Sequence, residues 1–158
     1  MRQDEARFVF DEIMDGERES KSRMALATLL GTRPVFDLAC VGTSMHGLGA
    51  LTFEAFACLA SADIVFYYPL TPSHYGLMEL INDNVVNVHE TFYVRGSDFE
   101  SAYGAIIKDV MQTVKSGKKV AYATQGSPAF HCGTCVALYR KAKQEGFTSI
   151  LVSGVSSF

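Results

Sequence analysis

The chain has 158 residues, of which 48% are hydrophobic and 20% charged, with a formal net charge of -3. That length carries one domain with a real core, and a pI near 5.8 with mean hydropathy +0.12 leaves no basic footprint for nucleic acid or an anionic membrane. No apolar run reaches the roughly 20 residues that span a bilayer, and the start "MRQDEARFVF" lacks the apolar core of a signal peptide. The expectation is a cytoplasmic protein, in which Cys40, Cys58, Cys132 and Cys135 are reduced thiols.

Residues 1–34 differ in character from the rest: "ARFVFDEIM" suits a short amphipathic helix, followed by the polar "DGERESKSR" and then "MALATLLG". We expect a helical N-terminal extension there and a separate domain over 35–158. "FDLACVG" is a short apolar strand ending in glycine. "LTFEAFACLASA" reads as a helix capped by Thr52, with Glu54 in its first turn. "DIVFYY" is a β-rich run stopped by "PLTP"; "SHYGLMELI" is a helix with Ser73 as its cap, and "NVVNVH" a strand. "SDFESAYGAIIKDVMQTVKSG" is the clearest helix. Ser97 and Glu100 read as its capping box, and Phe99, Tyr103, Ile106, Ile107, Val110 and Val114 as one apolar face. "KKVAYAT" is a strand, "CVALYRKAKQEG" a helix ending at Gly146, and "TSILVSG" a last strand.

Strands that are apolar almost throughout, alternating with helices, predict an α/β fold: a parallel β-sheet of about five strands with helices on both faces. In such a sheet the loops leaving the carboxyl ends of the strands gather at one edge, where ligands bind. Those loops are "GTSMHGLG", "YPLTPSH", "HETFYVRGS", "TQGSPAFH" and "SGVSSF".

Three features of that rim carry candidate chemistry. Cys132-Gly-Thr-Cys135 opens a helix, where the dipole favours a thiolate, so a thiol oxidoreductase is one reading. The other is that both cysteines are small residues packing the first turn against the sheet. The motif follows a late strand and His131, unlike the redox motif of thioredoxin-like proteins, and zinc would need a second ligand pair. The loop "VGTSMHGLG" matches neither dinucleotide nor P-loop patterns; His46 within it is a substrate contact or a solvated loop residue. Tyr67 and Tyr68 read as core. Tyr93 and Tyr103 flank a rim loop, where a phenol of lowered pKa would serve as a base or orienting group.

"DLACVGTSMHGLGALTFEAFACLASADIVFYY", "KSGKKVAYATQGSPAF" and "GFTSILVSGVSSF" together resemble the tetrapyrrole (corrin/porphyrin) methylase superfamily, in order and at family spacing, over about residues 36–158. "VHETFY" followed by "SAYGAIIKDVMQTVKSGKKV" most resembles its borosin branch of peptide N-methyltransferases. The resemblance implies an S-adenosylmethionine-dependent methyltransferase domain, with a small-molecule or peptide methyl acceptor and a homodimer as an assembly open to it. Charge, hydropathy and ligand spacing lead us to expect no nucleic acid or membrane partner and no metal. Carried over by position, Gln125, Gly126, Ser127, Pro128, Phe130, Ser156 and Ser157 line the cofactor site. Hydroxyls, carbonyls and an aromatic face suit a sulfonium cation better than basic side chains would.

The departures are specific. Gln125, Ser127 and Ala129 replace the Tyr, His and second Gly of the borosin Tyr-Gly-His-Pro-Gly loop, and Ser153 replaces a proline. Tyr93 and Tyr103 match the two catalytic tyrosines, whereas Phe99 stands where an arginine is expected and Arg95 is the candidate replacement. Family members also carry a second domain, which lies outside this chain. A degenerate, non-catalytic binding or dimerisation domain of the same fold is the alternative these departures raise.

Overall fold

A computed structural model describes residues 34–44, 50–69, 71–93, 98–130 and 132–155. The expected extension falls almost wholly outside them, as do His46, Arg95, His131, Ser156 and Ser157. The described elements run β1 (Leu38–Thr43), α1 (Phe53–Ser61), β2 (Ile64–Tyr67), α2 (Pro72–Glu79), β3 (Val85–Asn87), α3 (Val88–Phe92), α4 (Phe99–Lys115), β4 (Val120–Gln125), α5 (Gly133–Gln144) and β5 (Ser149–Val152). The five strands form one sheet in the order β3-β2-β4-β1-β5, and every pairing is parallel. The predicted α/β class and strand number are therefore both present.

Alternation along the strands divides the core into two layers, because successive side chains point to opposite faces. Ala39 and Val41 of β1, Val65 and Tyr67 of β2, and Ala121 and Ala123 of β4 pack under Ala55, Cys58 and Leu59 of α1 and Met78 of α2. Leu38, Cys40, Phe66, Val120 and Tyr122 face the other way. They meet Ile106, Val110, Met111 and Val114 of α4, and Cys135, Leu138 and Ala142 of α5. Every residue of β1 is buried, as its place inside the sheet requires. Among the described residues, no helix is long and apolar enough to cross a membrane.

Four local expectations shift. The cap of α2 is Thr71, whose Oγ1 accepts from the His74 N–H at 3.3 Å; Ser73 instead pairs with the Thr71 hydroxyl at 2.9 Å. Pro72 explains the choice, since it occupies the first helical turn, where its missing N–H costs nothing. The cap of α4 is Asp98, whose Oδ1 accepts from the Ser101 N–H at 2.7 Å, one residue beyond the expected Ser97. The strand predicted over "NVVNVH" stops at Asn87, because the Asn87 side chain accepts from the His89 and Glu90 N–H groups and starts α3. Phe99 and Tyr103 are 70% and 43% exposed, so they do not belong to the buried stripe of α4; Ala102 and Met111 do.

Candidate functional site

The topology places the crevice. From the ends of β1 and β2 the chain enters α1 and α2 on one face, while from β4, which lies between those strands, it enters α5 on the other. Loops diverging to opposite faces mark the carboxyl end of β4 as the topological switch point, where a parallel sheet binds its ligands; Gln125–Phe130 leaves the sheet there.

On one side of β4 the backbones themselves touch. A Cβ on Gly42 would lie 2.9 Å from the Gly154 Cα and nearer still to the Gly154 nitrogen and the Gly126 carbonyl oxygen. A Cβ on Gly154 would meet the Gly42 carbonyl carbon and the Thr43 oxygen at 2.6 Å. The ends of β1, β4 and β5 therefore close on one another with room only for glycine. Gly126 turns the chain out of β4 at φ +64, in the left-handed region that glycine enters without steric cost. Ser127 to Phe130 then forms a tight turn, closed by the Phe130 N–H donating to the Ser127 carbonyl at 3.1 Å. Pro128 holds the second position of that turn, for which its fixed φ is suited. It is buried, Ser127 is half-buried, and the Phe130 ring is 54% exposed.

Polar groups lock the rim. Thr43 Oγ1 donates to the Thr124 carbonyl at 3.1 Å, and the buried Tyr67 phenol meets the Thr43 hydroxyl. Gln125 Nε2 donates to the Tyr68 carbonyl at 3.1 Å, tying the loop after β4 to the one after β2.

On that other side of β4 lies an aromatic cluster centred on Tyr93. Its ring meets Tyr68 edge-on at 5.6 Å, Phe99 at 5.9 Å and Tyr103 at 6.4 Å, and stacks on His89 at 6.0 Å. The two tyrosines expected to act together do lie together, and Phe99, in the arginine's place, joins them. Tyr68 and His89 are members that the sequence reading missed; the signal was their position at the ends of two β-rich runs. Burial, then the neighbouring Tyr103 and Tyr68 phenols, push the Tyr93 hydroxyl up to about 12. This reverses the lowered pKa that a tyrosine base would need.

Of the expected cofactor residues, Gln125, Gly126, Ser127, Pro128 and Phe130 form one continuous strand end and turn. Cys132 follows it as the N-cap residue of α5, with Cys135 buried in the helix's first turn. Among the described residues no three His, Cys, Asp or Glu side chains converge as a metal-ligand set.

Comparison with known proteins agrees with this arrangement. The family model described as Tetrapyrrole (Corrin/Porphyrin) Methylases matches residues 37–158. A methyltransferase/ribosomally synthesized type I borosin cyclic peptide precursor from Coprinopsis marcescibilis is 26% identical over 121 residues, 76% of this chain and 30% of that protein. The methyltransferase/ribosomally synthesized cyclic peptide lentinulin A precursor of Lentinula edodes is 25% identical over 120 residues, 76% of this chain and 28% of that one. The chain thus spans less than a third of the length of these curated relatives. Among solved structures, uroporphyrin-III-C-methyltransferase from Thermus thermophilus superposes with TM-score 0.59 at 24% identity, over 76% of this chain and 48% of that one. A cobalt precorrin-4 methyltransferase gives 0.55 at 21% identity, over 76% and 46%. With the fold, the order of its segments and the family match in accord, the chain belongs to the tetrapyrrole (corrin/porphyrin) methylase family.

Proposed function

We propose that this chain carries part of an S-adenosylmethionine-dependent methyltransferase that acts on backbone amides of a peptide. The observation that carries the reading is the glycine-closed rim of β1, β4 and β5 leading into the Ser127–Phe130 turn, in a chain of this family. The residues fit the cofactor. Backbone packed against backbone at Gly42 and Gly154 gives a floor without side chains, and the turn offers a hydroxyl at Ser127 and an exposed ring at Phe130. No lysine or arginine stands among the described rim residues to repel a sulfonium. Gln125, Gly126, Ser127, Pro128 and Phe130 hold the cofactor in this reading, with Ser156 and Ser157 added by their place in the sequence. When bound, S-adenosylmethionine supplies a methyl group that leaves its bonding electrons on sulfur.

The peptide acceptor rests on the aromatic cluster and on what the fungal relatives are described as being. An amide nitrogen is a poor nucleophile until its proton is lost. Tyr93, its phenol held protonated at neutral pH, donates a hydrogen bond to the acceptor's carbonyl oxygen and so acidifies the adjacent N–H, whose proton passes to solvent water as the methyl group is transferred. Tyr103 supports the same ring cluster, and Arg95, which falls between the two tyrosines in the sequence, is the cation proposed to offset the charge that develops on the amide. Positioning of donor and acceptor is the main contribution asked of the protein.

Isothermal titration calorimetry of the full-length protein tests the first half of the reading. Heat is expected with both S-adenosylmethionine and S-adenosylhomocysteine, and silence with both overturns the assignment in favour of a non-catalytic domain. The acceptor is tested separately by mass spectrometry of the peptide encoded in or beside the same reading frame. A gain of methyl groups on backbone amides is expected, and methylation confined to side chains refutes the amide assignment.

A further inference from the structure

We infer that Cys132 and Cys135 form a dithiol–disulfide couple that exchanges with small-molecule disulfides, a chemistry distinct from the proposed methyl transfer though beside its site. Cys132, at φ -114 and ψ 84, sits just outside the helical conformation, at the mouth of α5. Its side chain is part-exposed, whereas Cys135 is fully buried. The two thiols are close enough to influence each other, and the Thr124 side chain also bears on the Cys132 sulfur, which accepts no capping hydrogen bond from the first turn of α5. Cys40 backs the pair from β1, its thiol donating to the Cys135 carbonyl at 3.6 Å. One reachable sulfur beside one sheltered sulfur is the division that disulfide exchange requires, an attacking thiol and a resolving thiol.

The electrostatics follow that division. Cys135, ahead of the other donors, holds Cys132 down at about 6, while the Cys132 and Cys40 side chains and burial push Cys135 well above the usual thiol range. A cysteine that merely packs behaves differently. Cys58, on the buried face of α1, is pushed up to about 12, chiefly by desolvation. Cys132 therefore gives up its proton far more readily than Cys58 does.

With oxidised glutathione as the oxidant, the Cys132 thiolate attacks one sulfur. A protein–glutathione disulfide forms, and one glutathione leaves as a thiolate that takes up the Cys135 proton. The Cys135 sulfur then attacks Cys132, the intramolecular disulfide forms, and the second glutathione leaves as a thiolate and is protonated by solvent. Two protein thiols are oxidised while one glutathione disulfide is reduced to two thiols.

The test equilibrates the full chain with oxidised glutathione, alkylates it after denaturation and maps the labels by mass spectrometry. Cys132 and Cys135 should lose their labels together and regain them on reduction, with Cys40 and Cys58 still labelled. In C135S, or C135A should serine fail at that buried position, glutathione should stay trapped on Cys132. Full labelling of both cysteines, a stable glutathione adduct on the unmodified chain, or a Cys40–Cys135 crosslink would each overturn the assignment. None of these readouts depends on cofactor binding, so the methyltransferase reading and this one can fail separately.

Discussion

Tyr93 shows how a single side chain is set by its surroundings. Partial burial desolvates its hydroxyl, and two neighbouring phenols oppose a negative charge on it. Its value is raised above the ordinary ~10 for tyrosine, so the folded state holds the proton more tightly than the unfolded chain does. The associated stability is fully present below about pH 10 and is lost as the pH climbs through about 12. Tyr93→Phe should remove this alkaline sensitivity, and a tyrosinate absorbance titration of the variant should lack the step near pH 12. An unchanged titration would place the phenol elsewhere. The proximity of Tyr93 and Tyr103 was legible in the sequence, because both border a loop at the carboxyl edge of a parallel sheet. The sign of the Tyr93 shift was not, since it depends on burial and, besides Tyr103, on Tyr68, which the fold brings in from another segment.

At the scale of elements, Asn82 fastens three of them. Its Nδ2 donates to the Leu59 carbonyl at 2.9 Å and the Ala62 carbonyl at 2.7 Å, closing the end of α1, and its Oδ1 accepts from the Asn84 N–H at 2.9 Å before β3. The side chain is buried, so water cannot readily replace these bonds. Asn82→Ala should cost about 1–3 kcal/mol for the polar groups left without partners. Asn82→Asp should cost more, because a carboxylate would then face two carbonyl oxygens. Urea denaturation of the three proteins checks the order, and an aspartate variant as stable as the parent would refute it. Nothing in "ELINDN" announced this role, which needs carbonyls about 20 residues upstream. Helix starts were legible only to within a residue or two. Ser97 and Asp98 are adjacent and both suited to cap α4, and local composition does not choose between them. Phe99 and Tyr103 have the right period for the buried stripe, yet period alone does not reveal where a helix passes the end of its sheet.

The molecule as a whole is held by its two apolar layers more than by charges between helices. The Lys115–Glu145 pair joins the ends of α4 and α5 at 2.9 Å, but its side chains are 52% and 30% exposed. Solvent-exposed pairs contribute roughly 0–1 kcal/mol. Leu138, on α5 in the layer shared with α4, is fully buried, and emptying such a site costs roughly 2–5 kcal/mol. Thermal melts should therefore show a clear fall in Tm for Leu138→Ala and almost none for Glu145→Gln; comparable losses would mean that the ion pair governs the helix contact. The strand–helix alternation was readable because the strands are apolar on both faces. The order β3-β2-β4-β1-β5 was not, because no local pattern tells β4 to insert between two strands already laid down.

The meeting of Gly42, Gly126 and Gly154 divides the rim into a rigid half and an adjustable half. On the β1 and β5 flank, main chain abuts main chain, so a bulkier residue at Gly42 or Gly154 has nowhere to go unless its neighbours retreat as well. On the β2 and β3 flank, rings meet rings, and one can be exchanged without moving the backbone. Under the proposed methyl transfer, attempts to change the acceptor should begin with Tyr68, His89 and Phe99, and leave the glycines alone.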